Sequence, residues 1–149
     1  MKTLILAEGD LNPLCSRIHI PYIFSLPKGG TQLHIDFGYD PKILEDRERS
    51  KELIIGSLIF YIDTDSERSR LIEEWERFLP LRNLLTVSID DCQGFRGCAH
   101  RHSPKQHLTI SQEKASPGFI PGPLTAGQWK ATISVHAVVT GKCHYKLHV

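Results

Sequence analysis

From residue 128 to 139 the chain alternates: Trp129, Ala131, Ile133 and Val135 fall between Lys130, Thr132, Ser134 and His136. Successive side chains of a strand point to opposite faces, so this segment makes one apolar face and one wet face. Such a strand cannot bury its apolar row alone; a second layer must cover it. Residues 18–26, 33–39, 84–89, 106–110 and 144–149 are further strand candidates. Among them Leu33, Ile35 and Phe37 alternate with His34 and Asp36, and Tyr145, Leu147 and Val149 alternate in the same way. The expectation is a mostly β protein, a jelly-roll-like β-sandwich with one or two inserted α-helices.

Local signals refine this. Pro27-Lys28-Gly29-Gly30 separates the first two candidates and predicts a hairpin between them. Asp40-Pro41 reads as a cap followed by proline at the first helical position, and residues 42–52 carry the mixed charges of a solvated helix face. Residues 53–62 are almost all apolar, so periodicity leaves helix and buried strand both open. Thr64-Asp65-Ser66-Glu67 fits a capping box, with Leu71, Ile72, Trp75, Phe78 and Leu79 as one apolar stripe ended by Pro80. Asp63, Asp65 and Glu67 resemble half a calcium loop, but Arg68 stands where that loop needs glycine. The helical insertion is thus expected at about 41–79 within a single domain spanning 1–149. Ser116 to Pro123 holds three prolines and two glycines, a composition that excludes regular structure and predicts a tightly shaped loop.

Composition removes several function classes. A chain of 149 residues makes about one domain. Eighteen Lys and Arg against 17 Asp and Glu give a net charge of +1, so no global field gathers nucleic acid or anionic membrane. No apolar run reaches the ~18 residues of a membrane span, and 4–7 is too short for a signal-peptide core, so a cytoplasmic address is expected. Cys15, Cys92, Cys98 and Cys143 are too few for a disulfide scaffold and are expected as thiols.

Chemistry-bearing residues concentrate between positions 92 and 107. Cys92, Cys98, His100 and His102 are zinc-type ligands, but five residues between the cysteines depart from zinc-knuckle spacing and no second pair follows, so a polar surface loop over 94–103 is favoured. Arg96, His100, Arg101, His102, Lys105 and His107 form a basic stretch suited to a small anion, without a phosphate-cradling glycine pattern. Trp129 or Phe119 would wall such a pocket. No nucleophile elbow occurs, and Asp90-Asp91 reads as a turn because strand neighbours face opposite ways.

Gly94-Phe95-Arg96-Gly97, Ser111, Ala115 to Leu124, Gly127-x-Trp129 and Cys143-x-Tyr145-x-Leu147-x-Val149 together resemble the N-terminal β-rich region of certain metallohydrolases. These belong to the polymerase-and-histidinol-phosphatase (PHP) superfamily, in its carbaryl-hydrolase-like group. The likeness covers a little over a third of the chain. It implies a non-catalytic accessory domain packing on a PHP catalytic domain, in cis or in trans, with divalent metal only in that attached domain and no cofactor in this chain. Two departures stand out. Cys98 replaces the usual Trp, and the sequence stops where the resemblance leads one to expect the metal-binding domain; His100-Arg101-His102 lacks the leading Asp of the family's Asp-x-His-x-His strand, so no catalytic role transfers to it. A small-anion or carbohydrate-binding module using Arg96, His100, Arg101, His102 and Trp129 is the alternative. A small zinc-binding hydrolase built on Cys92, Cys98, His100 and His102 is the third. The residues leave the oligomeric state open.

Overall fold

The computed structural model describes residues 1–99 and 102–149 and resolves the alternation into two four-stranded antiparallel sheets. One sheet holds β1 (Leu6–Leu11), β10 (Cys143–His148), β3 (Gln32–Asp40) and β8 (Lys105–Ser111), in that spatial order. The other holds β2 (Ile18–Leu26), β9 (Gly127–Ala137), β6 (Leu84–Asp91) and β7 (Gly94–Cys98). Leaving aside the two short strands of the insertion, β4 (Ile43–Leu44) and β5 (Leu81–Arg82), the successive strands read 1-8-3-6 across one sheet and 2-7-4-5 across the other. That order is the double Greek key of a jelly roll. The predicted fold class therefore stands, and so does the face assignment: Leu33, Ile35, Phe37 and Tyr39 of β3 and Trp129, Ala131, Ile133 and Val135 of β9 are all buried in one core with Leu85, Val87, Ile89, Ile110 and Leu147. Each fully buried aliphatic side chain contributes about 1.5–3 kcal/mol.

The hairpin expected around Pro27-Lys28-Gly29-Gly30 does not form. β2 pairs with β9, whereas β3 pairs with β10 and β8, so the turn carries the chain across the sandwich from one sheet to the other. Both strands present their apolar rows to the same core, and an arch between layers satisfies the alternation as well as a hairpin would. The loop expected over 94–103 is in part strand, since β7 pairs with β6 across a bulge between Ile89 and Asp90.

Residues 43–82 form a second unit, inserted between β3 and β6. It consists of β4, α1 (Arg47–Tyr61), α2 (Asp65–Glu73), a 3-10 turn (Trp75–Phe78) and β5. Asp40-Pro41 does not start the helix: Asp46 is the cap, its carboxylate accepting from the Arg49 N–H at 3.0 Å. The ambiguous run 53–62 is helical up to Tyr61, burying Ile54 and Leu58 against Trp75. Helix α2 begins after Thr64 as predicted, but the Thr64 side chain makes no capping hydrogen bond. Instead Arg68 turns back to the Ile62 and Asp63 carbonyls and to Asp65. Phe78 departs from the expected stripe and is exposed, because the turn after Glu73 tightens to three residues per turn and rotates it off the buried side. Among the described residues no helix is long and apolar enough to cross a membrane.

Candidate functional site

The centre of the predicted site is Arg96, and its surroundings follow from the β6–β7 hairpin. Asp91 ends β6, and one carboxylate oxygen accepts the Gln93 and Gly94 N–H groups at 2.7 and 2.9 Å, which closes the turn. The other oxygen takes Arg96 Nη1 at 2.9 Å, and the two side chains are only 7% and 8% exposed. Burial alone would raise the Asp91 carboxyl. The Arg96 hydrogen bond, the two backbone N–H groups and the guanidinium charge outweigh it and hold the group below the usual carboxylate range.

Arg96 spends its remaining donors on the Pro-Gly loop. Nε and Nη2 donate to the Ile120 carbonyl, Nη2 also to Gly122, and Nη1 to Pro123, at 3.0–3.2 Å. With the Asp91 bond, all five guanidinium N–H groups are occupied within the fold. The guanidinium lies 5.2 Å from the centroid of the Trp129 ring, whose own Nε1 donates to the Thr125 carbonyl at 2.8 Å. Arg96 and Trp129 are thus brought together, as buried neighbours.

The loop in turn seals two sheet edges. The Cys98 N–H donates to Gly118 and the Ile120 N–H to Arg96, covering β7, while Ser116 and Gly122 donate to Thr109 and Ser111 of β8. The approach at β7 demands glycine on both sides. A Cβ on Gly97 would run into the Gly118 carbonyl oxygen and Phe119 Cα, and Gly97 and Gly118 have φ of 128° and 93°. Fixed in this way, the assembly leaves exposed Phe95, the chain neighbour of Arg96, and Ile120, whose N–H donates to the Arg96 carbonyl, at 59% and 52%.

The side chains of the other described candidates take no part in the Arg96 hydrogen bonds. His102 is exposed, and His100 and Arg101 lie outside the described residues. Cys92 is exposed at the hairpin turn, while Cys98 is half-buried and burial pushes its thiol up despite a hydrogen bond from Thr86. Among the described residues no three His, Cys, Asp or Glu side chains gather as a metal site. A cleft of about 310 Å³ lined by Thr3, Leu26, Leu33, His34 and Asp36 lies elsewhere, without Arg96, His102 or Trp129 in its wall.

Sequence reasoning missed the outer face of the first sheet. There His144 sits between Asp10 (2.7 Å) and Glu8 (3.3 Å), His107 pairs with Asp36, and His148 with Thr3 (2.9 Å). The His144 hydrogen bond is the main cause that lowers the Asp10 carboxyl, against slight desolvation and with help from Lys142. The signal was present in the period-2 placement of His34, His107, His144 and His148 opposite the apolar rows of their strands. Comparison of the chain with protein families, with characterised proteins and with solved structures finds no match.

Proposed function

We propose that this chain is a cytoplasmic, non-catalytic accessory domain of a PHP-type metal-dependent hydrolase and that it packs on the catalytic domain through the braced Pro-Gly loop. The observation that carries the reading is the use of Arg96. A guanidinium poised for an anion keeps donors free, whereas this one turns all five inward and fixes a loop that displays Ile120, with Phe95 of β7 exposed as well. Rigid, exposed apolar residues make economical docking elements, because little conformational entropy is lost when a partner covers them. The stretch of sequence resembling the PHP-associated region is the stretch that builds the brace: Gly94 to Gly97 and Ala115 to Leu124.

The test has two arms. Reading the coding sequence past the Val149 codon shows whether an Asp-x-His-x-His strand follows. In parallel, the chain is mixed with a separately expressed PHP catalytic domain, and binding is followed by calorimetry for the wild type and for F95D and I120D. Continuation into that strand, or binding lost in both variants, supports the reading. A stop codon together with no detectable binding at about 100 μM overturns it.

A further inference from the structure

The four edges of the two sheets are not treated alike. β7 and β8 are sealed by the Pro-Gly loop, and β2 carries Pro21 in its middle, a residue with no N–H to offer an added strand. β1 has none of these devices. Ile5 and Val149 exchange reciprocal hydrogen bonds at 3.0 Å, so by alternation Ala7, Gly9 and Leu11 direct their N–H and C=O groups toward β10. Leu6, Glu8 and Asp10 direct theirs outward, where among the described residues nothing meets them. Their side chains share the solvent face, and Leu6 is 79% exposed.

Charge selects the occupant. On the inner flank β10 and the residue before it answer the two carboxylates: Lys142 reaches Asp10 at 3.4 Å, Lys146 reaches Glu8 at 3.6 Å, and the His144 ring contacts both. Among the described residues no cation meets them on the outer flank. A second copy pairing antiparallel through β1 would set Glu8 and Asp10 against the same acids, and like charges directly opposite destabilise a ladder. An extended segment with two basic residues at alternate positions and an apolar one next in the alternation would meet Asp10, Glu8 and Leu6 in turn.

We propose that the β1 edge is a strand-addition site for an extended basic segment of the pattern Arg/Lys-x-Arg/Lys-x-Leu/Ile, running antiparallel to Leu6–Leu11. The probe is a fluorescently labelled, acetylated peptide containing Arg-Thr-Arg-Thr-Leu, with Glu-Thr-Glu-Thr-Leu as control, titrated into the full chain by anisotropy. The basic peptide binds and slows amide exchange at Leu6, Glu8 and Asp10, while the acidic peptide does not bind. Leu6→Pro removes one outward N–H and spares both carboxylates, and it weakens binding by about tenfold or more, as does the Glu8→Lys/Asp10→Lys pair. All three substituted side chains are exposed, and circular dichroism verifies that the variants stay folded. Binding that survives Leu6→Pro is electrostatic adsorption and overturns the proposal. So does the absence of binding at about 1 mM peptide, or sedimentation showing dimers that Leu6→Pro abolishes.

Discussion

Replacing Arg96 by alanine removes five hydrogen bonds at once and leaves a carboxylate, Asp91, buried with two backbone donors but no counter-charge. Removing one partner of a buried ion pair costs about 3–5 kcal/mol, mostly the penalty of the charge left behind. The carbonyls of Ile120, Gly122 and Pro123 lose their donor too, although the space vacated by the side chain lets water reach some of them. The expected loss is therefore about 3–5 kcal/mol out of the ~5–15 kcal/mol typical of a domain. For a chain of this length that lowers Tm by about 6–20 °C. Urea unfolding followed by Trp fluorescence measures it directly, since Trp129 lies against the guanidinium. Asp91→Ala and the double variant close the cycle, and the coupling should exceed about 1 kcal/mol. The pair also has a pH signature. Because the Asp91 carboxyl is lowered in the folded state, its contribution is fully present above the ordinary Asp value near 3.8 and is lost as pH falls through the lower folded value. The Arg96→Ala chain should thus lack part of the wild-type acid transition. A loss under about 1 kcal/mol, or additive single changes, would refute the brace.

Other perturbations test the frame around it. Gly97→Ala places a methyl group against the Gly118 carbonyl at positive φ and should cost more than about 2 kcal/mol in a thermal melt, whereas Gly141→Ala, which meets open space, should stay within about 0.5 kcal/mol. Asn83 is fully buried, donating to the Pro41 carbonyl and Thr140 hydroxyl and accepting from the Val139 N–H; Asn83→Ala should cost about 2–4 kcal/mol in urea. Tyr145 is held well above the ordinary phenol range by burial and then by Tyr22, 2.6 Å away, so spectrophotometric titration should show a late component above that range. In Tyr145→Phe that late component disappears, and stability falls by about 1 kcal/mol.

Alternation identified which faces of β3, β9 and β10 are buried, because period 2 is a local property. Pairing is not local. The Pro27–Gly30 turn reverses the chain equally well within a sheet or between sheets, and the choice is made by β9 and β10, far along the chain. β1 escaped notice for a related reason: Gly9 weakens a strand signal, yet it is required because the Tyr145 ring lies where a Cβ would go. Arg96 was recognisable as a residue of interest. The direction of its donors was not, since that depends on Asp91 closing the hairpin turn and on the loop carbonyls brought in from 120–123.

The insertion has its own lesson. The Asn83 N–H donates to the Lys42 carbonyl at 2.9 Å, so the jelly roll clasps the two points where the chain leaves and returns. What lies between is, for the sandwich, one long excursion with a closed neck. Swapping those roughly forty residues for a tight turn would even relieve about 2 kcal/mol of closure entropy. The sandwich is therefore a socket: with its neck already closed by the Asn83–Lys42 hydrogen bond, the register of its strands does not depend on what the neck encloses.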